Sequence, residues 1–138
     1  MGGDRISEAN KQLVRRYVRE VIKEHSEQAV DELVAPDVVL HEHDPPGVIR
    51  GIDEYKAFWV QFKNLADTKV ELLDLVAEGD KVFARFNVSA RREGHFLGRD
   101  PTGADEMFRS RQMSIYRFRA GQLAESWTGV GSEGLWSE

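Results

Sequence analysis

The chain has no cysteine in its 138 residues, which excludes a disulfide framework, a thiolate zinc site and a cysteine nucleophile. It also lacks any run near the roughly 20 apolar residues of a membrane span. Its opening, MGGDRISEAN, has no apolar core of the signal-peptide kind. A cytoplasmic protein with no membrane partner is the expectation, and the sequon Asn87-Val88-Ser89 then reads as strand sequence rather than a glycosylation site. Basic charge is not in excess, with 19 Lys and Arg against 24 Asp and Glu. The pairs Arg15-Arg16 and Arg91-Arg92 lie among acids. Phosphate binding needs a clustered basic face, so no nucleic-acid partner is expected. None of Ser89, Ser110, Ser114 or Ser126 sits in a G-x-S-x-G elbow, which gives serine nucleophilic catalysis no support.

One glycine pattern invites a nucleotide site. Gly129 to Gly134, GVGSEG, matches G-x-G-x-x-G. That motif works at the start of a βαβ unit, where pyrophosphate sits on the following helix and an acid about 20 residues on takes the ribose. Only Leu135 to Glu138 follow here. The glycines therefore read as a loosening C-terminus.

What the chain does contain is one domain's worth of ordinary globular sequence, 41% hydrophobic and 31% charged. From Ile6 the apolar positions Leu13, Val14, Tyr17, Val18, Val21 and Ile22 make a helical stripe. Ser26 can cap a second helix over EQAVDELV, which Pro36 ends. The strand DVVLHEH follows and is broken by DPPG at Asp44 to Gly47. A third helix starts near Asp53, with Ile52, Tyr55, Phe58, Trp59 and Phe62 on one side. After Asp67 the period changes to two. Two strands flank a turn at Glu78-Gly79-Asp80, then comes a loose connection, GHFLGRDPTG, and then a final pair turned at RAGQ. The pattern predicts an α+β cone, a curved antiparallel sheet covered on one face by three N-terminal helices. Such a shape can leave an apolar cavity between helices and sheet.

Four stretches carry a family resemblance: NKQLVRRYVREVI, VDELVAPDVVLHEH, LVAEGDKVFARFNVSA and SIYRFRAGQLAESW, the last with Y-R-F-x-x-G-x-x-x-E-x-W intact. Over nearly its whole length the chain resembles the SnoaL-like polyketide cyclases, a branch of the nuclear transport factor 2-like superfamily. The resemblance implies acid–base chemistry without cofactor, such as ring closure by intramolecular aldol condensation, with an acidic residue of the second half as general acid/base. It also places His41 at the family's histidine. Many relatives carry Asp four residues after the Trp of E-x-W, and here that position is Gly131. Many dimerise through the outer sheet face, which implies a homodimer.

Several side chains could carry such chemistry. His41 can exchange a proton near neutral pH, or be a structural histidine at a strand end. With His43 it forms H-x-H, two imidazoles on one strand face. A cupin-type metal site would need a further Glu at set spacing and a late His, so no metal is expected. Glu125 shares a strand face with Trp127. If that face lines the cone, burial would raise its pKa and fit it for acid–base work. An ion pair with Arg111 or Arg117 is the other reading. Tyr17, Trp59, Phe86 and Trp127 can pack a core or wall a cavity for a flat ligand. Arg109 and Arg111 share a strand face and could bind a carboxylate or enolate oxygen, or pair with acids across a dimer. The expected catalytic pair is therefore His41 and Glu125, with Tyr17, His43, Trp59, Phe86, Arg111 and Trp127 around a hydrophobic cyclic small molecule. Cyclisation, isomerisation and hydration are the candidate reactions. The alternative is a non-catalytic ligand-binding or dimerisation module of the same fold. A water-activating hydrolase of the limonene-epoxide type fits poorly, since GRD at Gly98 to Asp100 offers only an Arg–Asp pair.

Overall fold

The structure is a computed structural model and describes residues 2–43 and 46–131. The opening helix begins as α1, Gly2–Arg16, and continues as a π-helix over Tyr17–Lys23. The sequence period predicts α-helix throughout, so the widening is a departure from it. The wider turn shows in the Glu24 N–H, which bonds Arg19 O at 3.0 Å, five residues back. Its carbonyl end is satisfied from outside as well, because Trp59 Nε1 donates to Val21 O at 3.1 Å. His25, at φ 55, stops the helix. Ser26 then caps α2, Glu27–Leu33, by accepting from Ala29 N at 3.1 Å. The third helix is α3, Gly51–Trp59, prolonged by a 3-10 turn over Val60–Asn64.

The strands are β1 Val34–His43, β2 Pro46–Arg50, β3 Leu65–Glu78, β4 Lys81–Arg92, β5 Met107–Arg119 and β6 Gln122–Gly131. They form one six-stranded, curved, unclosed sheet in the order β2-β1-β6-β5-β4-β3. The architecture is α+β, with the helices packed on one face, as the sequence predicts. Two details differ. The sheet is not wholly antiparallel, because β1 and β6 pair parallel. Parallel partners need a long crossover, and here β2, α3 and the whole β3–β5 meander supply it. The second difference is β2, which the proline-rich break at DPPG concealed and which pairs with β1 from Val39↔Arg50 to His43↔Pro46. No helix among the described residues is long and apolar enough to cross a membrane.

Alternation decides which sheet face meets the helices. On β4, Val82, Ala84, Phe86, Val88 and Ala90 are buried, while Phe83, Arg85, Asn87 and Ser89 are only partly so. The even-numbered residues of β5, from Ser110 through Ser114, Tyr116 and Phe118, follow the same face. Asn10 ties α1 to the β3–β4 turn by donating from Nδ2 to Gly79 O at 3.4 Å.

The β4–β5 connection is more ordered than its glycine-rich sequence predicts. Phe96 is fully buried and meets Phe62 and Phe108 edge-on at 5.1 and 4.8 Å. The Arg92 guanidinium lies over both Phe96 and Phe108. Asn64 Nδ2 donates to His95 O at 2.7 Å, and Leu97 N donates to Gln61 Oε1 at 2.8 Å. Gly129, Val130 and Gly131 of the G-x-G-x-x-G pattern are residues of β6 itself, and Ser132 to Gly134 lie outside the described residues.

Candidate active site

Between the helices and the inner sheet face lies a cavity of about 190 Å³. Tyr17, Val21 and Ile22 reach it from the π-helix, and Tyr55, Phe58 and Trp59 from α3. Leu40 and Glu42 enter from β1, and Ser110, Gln112, Tyr116, Ser126 and Thr128 from β5 and β6.

Several polar groups face or border this space. The hydroxyls of Tyr17 and Tyr55 share a hydrogen bond of 2.7 Å. The Tyr17 ring also packs at 5.5 Å against Tyr116. Burial drives all three phenols well above their ordinary pKa, and the nearby Glu42 charge adds to the push. They stay protonated and serve as donors. Ser114 Oγ donates to Thr128 Oγ1 at 3.2 Å, and Gln112 Nε2 donates to Ser110 Oγ at 3.1 Å.

Glu42 is the acid within the lining. Burial raises its pKa above the ordinary glutamate value. Its carboxyl has no hydrogen-bond or ion-pair partner among the described residues. A carboxylate with no donor in an aromatic surround holds a proton readily and binds one from a neighbour readily. Sequence reasoning missed Glu42 and settled on the flanking histidines of HEH. The signal was available in Val38 and Leu40, apolar residues at the same parity.

The predicted site residues divide by face. Tyr17 and Trp59 line the cavity. Phe86 is on the inner face but sits in the packed core, fully buried and outside the lining. His41 and Glu125 do meet, His41 Nε2 donating to Glu125 Oε2 at 2.7 Å, but on the outer face of the sheet. Arg117 donates to the other oxygen, Oε1, at 3.3 and 3.2 Å. Trp127 stacks on His41 with ring centroids 5.4 Å apart. The expectation that Glu125 and Trp127 border the cavity is corrected on this point, because Ser126 and Thr128, between and beyond them, hold the inner face. The expected rise in the Glu125 pKa is corrected too. The His41 hydrogen bond, with Arg117 assisting, holds it below the ordinary value. Arg111 pairs with Gly131 in the sheet register and is not part of the lining, whereas Arg109 reaches the cavity rim. The His43 side chain lies outside the described residues, as does the Asp44 beside it. Among the described residues, no three His, Cys, Asp or Glu side chains gather where they could hold a metal.

The family description of SnoaL-like polyketide cyclases matches residues 12–131, which span the π-helix, α2, α3 and all six strands. The chain belongs to the SnoaL-like polyketide cyclase family. Solved structures agree with the assignment. TsrD from Streptomyces laurentii superposes with a TM-score of 0.74 at 27% identity, covering 88% of this chain and 87% of that one. IdmH from Streptomyces antibioticus, a candidate polyketide cyclase, gives 0.69 at 25% identity over 88% and 91%. A SnoaL-like protein from Jannaschia sp. CCS1 gives 0.75 at 23% over 91% and 87%, a likeness of fold. No curated protein matches the chain. Within the SnoaL-like frame, the cavity under α3 brings a carboxyl and hydroxyl donors together.

Proposed function

We propose that this SnoaL-like protein is an acid–base enzyme acting on a cyclic carbonyl compound in the cavity under α3, without help from a cofactor. The observation that carries the reading is Glu42, which faces an aromatic cavity with a raised pKa beside the Tyr17–Tyr55 hydroxyl pair. The Glu42 carboxylate takes a proton from the carbon next to a bound carbonyl. The C–H electron pair becomes the new C=C bond while the C=O π pair moves onto oxygen, where a phenol hydroxyl donates to the growing negative charge. Protonated Glu42 then returns the proton. Delivered to another carbon of the same molecule, it completes an isomerisation. Where the enolate carbon attacks a second carbonyl, a C–C bond forms and the alkoxide takes the proton, which is an aldol cyclisation. Atoms and electrons balance in both cases with no further reactant.

The polyketide cyclase description of IdmH, a neighbouring structure, supports this class of chemistry. His41 and Glu125 can take the acid–base role only for a substrate on the outer sheet face.

Alpha-carbon deuterium uptake from heavy water, followed by NMR over a panel of cyclic ketones, tests the reading. Uptake above the buffer rate, rising with pH through a value above the ordinary glutamate range, is expected. A uniform buffer rate across the panel would leave a binding module.

A second reading concerns the outer face. Val48, His41, Trp127, Ile115, Phe83 and Val76 are paired in register and form one row across all six strands. Val48, Ile115 and Val76 in that row are exposed at 46%, 40% and 62%. A contiguous apolar stripe of this kind suits a protein contact. We propose that a second copy of the chain covers it, with the cavity opening on the opposite side of the sheet.

A further inference from the structure

The cavity under α3 combines a wall of aromatic rings with a single acid that has no counter-ion. Tyr17, Tyr55, Phe58, Trp59, Phe62 and Tyr116 all line it. Glu42 is the lone acid of the lining, and no donor or cation among the described residues pairs with it. The one cation of the lining, Arg109, is exposed at the rim.

We propose that this cavity binds a small tertiary or quaternary alkylammonium ion, its charge on the Glu42 carboxylate and its methyl groups against the rings. This goes beyond the acid–base reading and stands without it, sharing only the carboxylate.

Three observations carry the inference. The first is ring geometry. Tyr17 and Tyr116 are inclined at 56°, and Phe58 and Phe62 at 75°. Rings at such angles bound a space from several sides, whereas a slot for a flat ligand needs parallel walls. An aromatic surround attracts cations through the negative faces of its rings and is a known form of receptor for quaternary ammonium groups. The Trp59 ring already holds a cation, the exposed Lys63 ammonium, 5.1 Å from its centre and outside the lining.

The second is charge. The Glu42 charge reaches the phenols of Tyr17, Tyr55 and Tyr116. Burial raises the Glu42 pKa, since nothing nearby offsets the ionised form. A cation supplies that offset, a neutral ligand does not, and an anion adds to the penalty. A metal ion or a primary ammonium needs several oxygen partners, which the aromatic wall lacks. An ion whose charge is spread over methyl groups needs none. The third observation is size. A cavity of about 150 Å³ holds benzene, and one of about 190 Å³ suits a compact ion slightly larger.

NMR titration of the intact, nitrogen-15-labelled protein at pH 8 tests the inference, with choline and its uncharged isostere 3,3-dimethyl-1-butanol as probes. Choline is expected to bind at about 1 mM or below and about tenfold more tightly than the alcohol. Glu42→Gln should cut choline affinity about tenfold and Phe58→Leu about threefold, with alcohol affinity within about twofold in both. Native signal dispersion reports that each variant folds. A pH series on the native chain keeps the test open if one does not. Choline affinity should fall as pH drops through the raised Glu42 value, while alcohol affinity stays level. The other titratable groups around Glu42 are Tyr17, Tyr55 and Tyr116, which stay protonated in that range, and the rim guanidinium of Arg109.

Equal affinity for choline and the alcohol would overturn the inference. So would choline affinity unchanged by Glu42→Gln, no choline binding at about 10 mM, or deuterium uptake that persists at saturating choline. Choline preference without any uptake would remove the catalytic reading and keep this one. Uptake without choline preference would do the reverse.

Discussion

The phenol oxygens of Tyr17 and Tyr55 stand 2.7 Å apart and join the π-helix to α3 across the roof of the cavity that Glu42 enters. Both rings are buried, Tyr55 with 2% of its surface exposed. A hydrogen bond in so dry a place is electrostatically strong, and breaking it leaves a hydroxyl without water to replace its partner. The same pair lines the cavity.

Tyr17→Phe should therefore do two separable things. Loss of the hydroxyl leaves Tyr55 unpartnered and costs about 1–3 kcal/mol, visible as a lower Tm. If Tyr17 meets the enolate oxygen, deuterium uptake falls about a hundredfold in protein that is still folded. A lower Tm with unchanged uptake would make the tyrosine pair structural only.

Glu42 makes a prediction about pH and stability. Burial raises its folded pKa above the unfolded value, so folding favours the protonated form. The stability this lends is complete below the unfolded pKa and is lost as pH rises through the raised folded value. Glu42→Gln never ionises. The variant should melt a few degrees above the native protein at pH 8, and the gap should close below about pH 4. Thermal melts across that range check the sign, and a native protein more stable than the variant at pH 8 would contradict the burial account.

Glu125 should behave oppositely. Its folded pKa is depressed, chiefly by the His41 hydrogen bond. The stability it lends is present above the ordinary glutamate pKa and disappears as pH falls through the depressed value. Glu125→Gln should shift acid unfolding to higher pH, monitored by circular dichroism. At pH 7 the cost is about 1 kcal/mol or less, because the pair is partly exposed and screened by water.

The outer row predicts an assembly. Ile115→Lys puts a charge at the middle of the stripe without touching the cavity. Sedimentation velocity should show a dimer for the native chain and a monomer for the variant, with deuterium uptake retained in the monomer. A native monomer at concentrations of tens of micromolar would remove the proposed second copy.

Much of the fold was legible in the sequence. The helical stripe through Leu13, Val14, Tyr17, Val18 and Val21, the Ser26 cap and the period of two in β4 each reflect local chemistry that a single strand or helix displays. The site was half legible. Alternation correctly put Glu125 and Trp127 on one face, yet said nothing about which face is inward. That depends on pairing between strands distant in sequence, and a one-residue difference reverses it. On β6 the register with β5 shifts between Arg117 and Phe118, so Leu123 and Ala124 are both buried and the apolar pattern gives no clean parity. Glu42 was obscured by its neighbours. Two histidines flank it, and histidine attracts a catalytic reading, while Val38 and Leu40 marked the inward parity. The π-turn at Tyr17 left no trace, because its sequence satisfies an α-helical stripe equally well.

Deuterium uptake by a cyclic ketone, measured side by side for Glu42→Gln and Glu125→Gln at pH 8, tests the central claim most directly. The account predicts that Glu42→Gln loses about a hundredfold or more of the native rate, while Glu125→Gln stays within about twofold. Loss confined to Glu125→Gln would place the chemistry at the outer His41–Glu125 pair and contradict the account.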